Sequence, residues 1–193
     1  MLLLVDLQRG MCDDDGPAGR TGLAEQVKTR GVLDAAADAL RAARAVSVGI
    51  THVRLAFDAN YSNRTNRTER FGNHEETGRF RSDSLESEFR PEVAPEPGET
   101  IVAKGSVSPF ASTGLLGQFL ARGVTDLYIA GVATHLSVES AAREAADRGL
   151  RVTVLEDACA APDPAIHEHC VTVSLPSFAA IGSTQAFAAA LMQ

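Results

Sequence analysis

Two ionisable residues stand directly after apolar runs of this sequence, where the ends of buried strands are predicted. Asp6 follows Leu2–Val5, and Lys104 follows the β-branched run Thr100–Ala103. The chain has 18 lysines and arginines together, of which only Lys28 and Lys104 are lysines. A lysine at a strand end of this chain therefore indicates a role that requires lysine rather than arginine. An ammonium beside a carboxylate shifts in pKa more readily than a guanidinium does. We therefore predict an Asp6–Lys104 ion pair able to transfer a proton in a cleft, with a capping carboxylate and a solvated lysine as the alternatives.

A third candidate lies where an apolar strand meets a helix, in the segment Gly131–Ser137. Thr134 is predicted to cap this helix, which places the Ser137 hydroxyl in its first turn. Backbone N–H groups and the positive end of the helix dipole stabilise a thiolate or the oxyanion of a tetrahedral intermediate at such a position. Position 137 therefore suits a nucleophile, and a second capping hydroxyl is an equal alternative.

The elements that must position these residues alternate between apolar strands and helices. Strands are predicted over 2–5, 46–55, 100–103, 126–132, 151–156 and 177–181, and helices over 32–43, 113–122, 135–148 and 184–192. Strands separated by single helices pair in parallel, because each crossover returns along one face of the sheet. The predicted fold is α/β, a three-layer α/β/α sandwich with a mainly parallel, doubly wound sheet, in a single domain over 1–193. Such sheets bind ligands at the carboxyl ends of their strands.

Composition narrows the class of protein. The 193 residues are 45% apolar and 22% charged, which is typical of one compact globular domain and excludes intrinsic disorder. The net charge of −7, with scattered basic residues, argues against nucleic-acid binding. No apolar run is long enough for a membrane span or a signal peptide, so a cytoplasmic location is expected. The odd number of cysteines lacks metal-ligand spacing and predicts free thiols at Cys12, Cys159 and Cys170.

A polar excursion interrupts the alternation between residues 56 and 98. Its part over 60–84 carries five arginines among Asn, Thr, Glu and Gly, namely Arg64, Arg67, Arg70, Arg79 and Arg81. Guanidinium groups above a strand-end cleft would bind a polar or carboxylate-bearing small molecule through bidentate hydrogen bonds. The excursion is therefore interpreted as a lid, or alternatively as a solvated or subunit-contacting surface.

Four segments together carry a resemblance to a known family. They are Asp6-Leu7-Gln8, the segment 104–113 (KGSVSPFAST), the segment 131–142 (GVATHLSVESAA) and Asp157-Ala158-Cys159. In order, spacing and location at strand ends, the chain resembles the isochorismatase-like cysteine hydrolases over nearly its whole length. The resemblance implies a triad of aspartate, lysine and cysteine, which falls on Asp6, Lys104 and position 137.

The resemblance also implies a mechanism. In that family the cysteine attacks an amide or ureide carbonyl, the aspartate passes the thiol proton to the leaving amine, the lysine tunes the aspartate, and water hydrolyses the thioester. A cis Val132–Ala133 peptide bond is implied, with the N–H groups of Ala133 and Ser137 directed at the oxyanion. A homodimer or homotetramer is expected.

Serine at position 137 departs from the family pattern. A helix end and a cation can ionise a thiol, whereas a serine nucleophile normally needs a histidine base, and His135 lies two positions away on a different helix face. We therefore expect slow or absent amide hydrolysis. The preferred interpretation is a Cys-to-Ser variant of a hydrolase that cleaves a C–N bond in an amide, ureide, carbamoyl compound or lactam. The alternatives are a vinyl ether hydrolase of the isochorismatase type, using Asp6 without a covalent nucleophile, and a ligand-binding homologue without turnover.

Four further side chains near these strand ends are predicted to contact substrate: Gln8, Arg54, Phe110 and His135. The segment 51–58 lacks the ligand spacing that the nicotinamidase branch of the family carries there. His167 and His169 are predicted to point apart on a surface helix and to be solvated. Neither a metal nor another cofactor is expected, and the predicted partner is a small polar substrate.

Overall fold

The computed structural model describes residues 1–192, and its central feature is a six-stranded sheet in which neighbouring strands are parallel. The strands are β1 (Leu2–Val5), β2 (Ile50–Leu55), β3 (Thr100–Lys104), β4 (Asp126–Val132), β5 (Arg151–Ala160) and β6 (Ala180–Gly182). Their order is β3-β2-β1-β4-β5-β6. The winding direction reverses between β1 and β4, so the carboxyl ends of these two strands flank the place where doubly wound sheets bind ligands.

Helices cover both faces of the sheet. They are α1 (Arg9–Cys12), α2 (Leu23–Thr29), α3 (Val32–Ala45), α4 (Glu69–Glu76), α5 (Leu115–Ala121), α6 (Glu139–Ala146), α7 (Pro164–His169) and α8 (Thr184–Ala190). Side chains alternate along β1, so Leu2 and Leu4 join an apolar cluster with α2, α3 and α8, while Leu3 and Val5 join another with α5 and α6. The predicted three-layer α/β/α fold is confirmed. No helix within residues 1–192 is long and apolar enough to cross a membrane.

Three strands differ from the sequence prediction by three residues or more, and one of them is β6, which begins at Ala180 rather than at residue 177 because Leu175–Ser177 form a 3₁₀ turn. Strand β2 begins at Ile50 rather than at residue 46, because α3 continues to Ala45 and the chain then turns through Ser47, whose φ is 55°. Strand β5 continues to Ala160, past the polar residues that suggested an end at 156. Its pairing with β4 shifts register between Ile129 and Gly131, which brings the last residues of both strands to the carboxyl edge.

The excursion over 56–98 is more ordered than a loop. It contains α4 and two 3₁₀ turns, Leu85–Ser87 and Pro91–Val93. Phe57 and Phe80 are fully buried, and the Phe57 N–H donates to the Phe80 carbonyl at 2.7 Å. An aromatic cluster therefore fixes this segment beside the carboxyl edge of the sheet.

Candidate active site

Asp6, Lys104 and Ser137 lie together at the carboxyl edge, each from a different part of the chain. The Lys104 ammonium donates to Asp6 Oδ2 at 2.7 Å, to Ser137 Oγ at 2.8 Å and to the Val107 carbonyl at 2.5 Å. The Ser137 hydroxyl donates to the same Asp6 Oδ2 at 2.8 Å. Ser137 Oγ thus lies within hydrogen-bond distance of both a carboxylate and an ammonium, which is the geometry that proton transfer from the hydroxyl requires.

Burial governs the electrostatics of the acid and the ammonium. The Asp6 side chain is 3% exposed and that of Lys104 is 1% exposed. Burial raises the pKa of Asp6, against the lowering effect of the nearby Lys104 charge, and burial lowers the pKa of Lys104. Among the described residues Asp6 Oδ1 has no hydrogen-bond partner. The pair is therefore poised to exchange a proton, and one carboxylate oxygen is left uncommitted.

Backbone geometry places the acid and the serine. Asp6 has a φ of 56°, a left-handed conformation that aspartate tolerates better than most residues, and its N–H donates to the Val53 carbonyl at 2.8 Å. Gly131 lies against β1, where an added Cβ would fall 2.0 Å from the Val5 carbonyl oxygen. The following Val132–Ala133 peptide bond is cis, as the family resemblance implies. This path brings Ser137 beside Asp6.

The predicted cap at Thr134 is wrong. Residues Thr134–Val138 form a π-helical turn before α6, and Ala133 occupies the capping position without a side-chain cap. The Thr134 side chain is buried, and its hydroxyl hydrogen bonds to His167 Nδ1 at 2.8 Å. Thr134 therefore holds the turn to α7 instead of capping it.

A cavity of about 360 Å³ opens onto these groups. Asp6, Val132, Ala133, His135 and Ser137 line it. Apolar walls come from Met11, Ala18, Leu23, Leu136 and Pro162, among others. This size is in the range of small-molecule sites, and the mixture of apolar walls with a few polar groups is typical of them.

Helix α4 forms one wall of the cavity, and the sequence analysis did not predict this helix. Arg70, Asn73 and His74 line the cavity from one face of this helix. Burial lowers the pKa of His74 to about 4, since the imidazole packs against Phe71 and Phe80 with ring centroids 5.7 and 5.0 Å away. Burial also lowers the pKa of His135. The sequence does carry a signal for this wall. Arg70, Asn73 and His74 have the i, i+3, i+4 spacing that places side chains on one face of a helix.

Three residues predicted to contact substrate do not line this cavity, and their side chains make other contacts. The Gln8 amide donates to the carbonyls of Leu55 and Glu86 at 3.0 and 2.9 Å, and so ties β2 to the excursion. Arg54 donates to the Ser87 carbonyl at 2.8 Å. Phe110 packs edge-on against Phe119 in the core, with ring centroids 6.2 Å apart.

The prediction of a solvated His167 is also wrong. This histidine is 2% exposed, and its Nε2 lies 3.4 Å from a Glu156 carboxylate oxygen that Arg30 contacts at 2.6 Å. His169 is exposed. Cys12 and Cys159 are buried free thiols whose pKa burial raises to about 12, so neither is activated as a nucleophile. Within residues 1–192, no group of three or more His, Cys, Asp or Glu side chains is placed to hold a metal ion.

Comparisons with known proteins identify relatives, some of which align with nearly the whole chain. The family model described as "Isochorismatase domain" matches residues 1–186. The ureidoacrylate amidohydrolase RutB of Methylobacterium radiotolerans is 27% identical over 98% of this chain and 78% of that protein. The uncharacterized isochorismatase family protein YddQ of Bacillus subtilis is 29% identical over 52% of this chain and 61% of that protein. The solved structure of a cysteine hydrolase from Pseudomonas syringae pv. phaseolicola has a TM-score of 0.86 at 22% identity, covering 99% of this chain and 91% of that one, and so shares the fold.

Proposed function

Since this chain belongs to the isochorismatase family, we propose that it hydrolyses a C–N bond in a small polar amide, ureide, carbamoyl compound or lactam. The observation that supports this best is the position of Ser137 Oγ at the cavity wall, hydrogen-bonded to both Asp6 and Lys104. The amidohydrolase activity in the name of the RutB relative points the same way. The proposed catalytic residues are Asp6, Lys104 and Ser137.

The proposed reaction proceeds through an acyl-enzyme. Ser137 Oγ attacks the carbonyl carbon as its proton moves to the Asp6 carboxylate, and the N–H groups of Ala133 and Ser137 stabilise the oxyanion. The intermediate collapses by breaking the C–N bond, and Asp6 returns the proton to the leaving amine. Water then attacks the ester, its proton passes through Asp6 back to Ser137 Oγ, and the acid product leaves.

Lys104 has an electrostatic part in this scheme. Its ammonium contacts both Asp6 Oδ2 and Ser137 Oγ, so it stabilises the carboxylate before the attack and negative charge on Oγ during it. A serine hydroxyl nevertheless gives up its proton far less readily than a thiol. We propose that serine stands at position 137 in place of the cysteine that the family pattern implies, and that this chain is consequently a slow hydrolase.

A second candidate function, vinyl ether hydrolysis, is favoured by one observation. Asp6 Oδ1 is buried and has no hydrogen-bond partner within residues 1–192, and burial raises the pKa of this carboxyl group. A protonated Asp6 would donate a proton to the substrate carbon, after which water completes the C–O cleavage without a covalent intermediate. This reaction needs Asp6 and does not need the Ser137 hydroxyl.

Four purified proteins test the proposal: the chain itself, Ser137→Cys, Ser137→Ala and Asp6→Asn. On a panel of N-carbamoyl compounds, ureides, lactams and primary amides, Ser137→Cys is expected to raise kcat/KM by about two orders of magnitude or more, because it supplies an ionisable nucleophile. Ser137→Ala and Asp6→Asn should show no activity. Ser140→Cys, which adds a thiol outside the cavity lining, is the matched control and should change nothing.

Two outcomes would contradict the proposal. One is the absence of hydrolysis by Ser137→Cys across the whole panel. The other is turnover of isochorismate that survives Ser137→Ala and disappears in Asp6→Asn, since this pattern identifies the vinyl ether reaction.

A further inference from the structure

A chain of polar side chains joins the turn that carries Ser137 to helix α7 and strand β5. The Thr134 hydroxyl is fully buried and lies 2.8 Å from His167 Nδ1. Nε2 of the same ring lies 3.4 Å from a Glu156 carboxylate oxygen, and Arg30 contacts that oxygen at 2.6 Å. Thr134, His167, Glu156 and Arg30 do not line the cavity, so the proposed mechanism gives them no part.

The direction of each hydrogen bond in this chain follows from the chemistry of its members. Burial, and after it the charge of Arg30, lowers the pKa of His167, so the ring is neutral at pH 7. A carboxylate only accepts hydrogen bonds, so the single ring proton lies on Nε2, which faces Glu156. Nδ1 is therefore an acceptor, and the Thr134 hydroxyl donates to it. Glu156 thus fixes the tautomer of His167 that holds Thr134.

Arg30 also holds the strand that leads into the turn. Its guanidinium donates to the Cys159 carbonyl at 2.9 Å, in the last part of β5. Cys159 is paired with Gly131 of β4, which lies three residues before Thr134. The same network therefore anchors the chain on both sides of Ala133, whose N–H group is proposed to stabilise the oxyanion.

The start of the turn depends on this anchor. Thr134 is the first residue of the π-helical turn, and Ala133 at the capping position has only a methyl group, which cannot cap it. Three residues after Thr134, Ser137 Oγ makes its two hydrogen bonds of 2.8 Å to the buried ion pair. Loss of the bond between Thr134 and His167 would therefore free the segment on which both Ser137 and the oxyanion N–H groups lie.

We propose that His167 is a positioning residue, which acts through Thr134 to hold the nucleophile and the oxyanion N–H groups in the reacting geometry. A misplacement of about 1 Å can lower a rate by about two orders of magnitude, so an anchor outside the cavity can control kcat. Contacts to the substrate should change little, because neither His167 nor Thr134 lines the cavity. This inference rests on the proposed function and adds to it a residue distant from the substrate.

The test uses Ser137→Cys as the background protein, because a thiol at this position reports on its own surroundings. The rate of alkylation by iodoacetamide at several pH values gives the pKa of that thiol. Burial raises the pKa of Cys12 and Cys159 to about 12 and that of Cys170 to about 11, so these thiols should alkylate slowly. On the same proteins, kcat and KM are measured with a compound of the panel described above.

His167→Leu and His167→Asn form a matched pair, because both side chains branch at Cγ and only asparagine keeps an acceptor for the Thr134 hydroxyl. In His167→Leu, kcat and the alkylation rate at pH 7 should fall by about tenfold or more, because the thiolate moves away from the Lys104 ammonium. KM should stay within about twofold of the background, and His167→Asn should retain most of both rates.

Two further variants complete the set. Thr134→Val removes the donor of the same hydrogen bond and should resemble His167→Leu, and combining the two changes should cause little additional loss. His169→Leu alters an exposed histidine of the same helix and should match the background protein.

Three results would overturn the inference. They are background values of kcat and alkylation rate in His167→Leu, an equal loss in His167→Asn, and an equal loss in His169→Leu. If His167→Leu does not fold, Thr134→Val supplies both readouts, and background values there would also overturn the inference. Alkylation requires no turnover, so a background protein that hydrolyses no compound of the panel would contradict the proposed hydrolysis, while the alkylation rates would still decide the role of His167.

Discussion

At the scale of single residues, the site is a buried ion pair with one neutral hydroxyl beside it. Asp6 and Lys104 have almost no exposed side-chain surface, so neither charge has water to stabilise it if the other is removed. The Ser137 hydroxyl makes two hydrogen bonds but carries no charge. The stability of the site therefore depends far more on the ion pair than on the proposed nucleophile.

Removing one charge of this pair is predicted to destabilise the fold strongly. Lys104→Met should lower the free energy of unfolding by about 3–5 kcal/mol, because the Asp6 carboxyl group remains buried without its cation. The double variant with Asp6→Asn should recover part of this loss, and Ser137→Ala should cost about 1 kcal/mol. Urea denaturation at pH 7 measures all of these. A Lys104→Met protein as stable as the parent would show that the pair is already neutral in the folded chain.

The positions of these three residues were predictable, and those of their neighbours were not. Parallel strands bring their carboxyl ends to one edge, so Asp6 and Lys104 were expected at the same edge, and their contact also depends on the strand order, in which only β2 separates β1 from β3. Gln8 and Arg54 lie close to the same edge in sequence. Their side chains satisfy backbone carbonyls of the excursion, and the path of that excursion depends on contacts distant in sequence.

At the scale of elements, the π-helical turn Thr134–Val138 depends on helix α7. A buried hydrogen bond joins His167 Nδ1 and the Thr134 hydroxyl, and Nε2 of the same ring lies close to the Glu156 carboxylate. The sequence analysis predicted that His167 lies on a surface helix, points away from His169 and is solvated. Only the packing of α7 against the turn buries it.

His167→Ala is predicted to leave the Thr134 hydroxyl buried without a partner. The free energy of unfolding should fall by about 1–3 kcal/mol, and His169→Ala, an exposed residue of the same helix, should change it by at most about 0.5 kcal/mol. Combining His167→Ala with Thr134→Val should cost less than the sum of the two single changes, because the unsatisfied hydroxyl is then removed. Strict additivity in urea denaturation would contradict this account.

Glu99 joins three elements at the opposite end of the sheet. Its carboxylate accepts from Arg44 of α3 at 2.7 and 2.9 Å and lies 2.8 Å from His52 Nε2 of β2, just before β3 begins. Burial acts to raise the pKa of Glu99, but the hydrogen bonds from Arg44, the Glu96 N–H and His52 outweigh it and lower the pKa to about 2. A carboxyl group whose pKa is lower when folded stabilises the fold above its ordinary value of 4.5, and this contribution is lost as the pH falls towards 2.

The stability difference between the parent chain and Glu99→Gln should therefore depend on pH. At pH 5 to 7 the variant is expected to be less stable by about 2–3 kcal/mol, somewhat below the value of about 3–4 kcal/mol that the pKa difference implies, because solvent screens a partly exposed group. Below about pH 4.5 the difference should shrink, because the unfolded parent chain takes up a proton that the folded Glu99 carboxylate accepts only near pH 2. Urea denaturation at several pH values measures the difference, with the exposed Glu96→Gln as control. A difference independent of pH would assign the effect to packing.

At the scale of the whole molecule, strand and helix alternation was sufficient to predict the parallel α/β sandwich. The excursion was harder to predict, because its aromatic residues Phe57, Phe71 and Phe80 are too widely spaced in sequence to show a helix or strand period. They meet only in the folded chain, where they place α4 across the cavity from Ser137. Whether this wall moves as a lid remains a prediction.

The net charge of −7 and the local charge of Arg70 act in opposite directions on an anionic ligand. Salt screens distant surface charges over a Debye length of about 10 Å at 0.1 M ionic strength, and screens contacts inside a cavity much less. In Arg70→Gln only the long-range repulsion is left, so the affinity for N-carbamoylglycine, an anionic N-carbamoyl compound, is predicted to rise as salt is added. The parent chain has a similar long-range repulsion, so salt should raise its affinity for N-carbamoylglycine by a similar factor. Titration calorimetry at increasing NaCl measures both proteins, and the neutral amide of the same compound is the control whose affinity salt should leave unchanged. An affinity of Arg70→Gln that falls with salt would show that another cation binds the carboxylate.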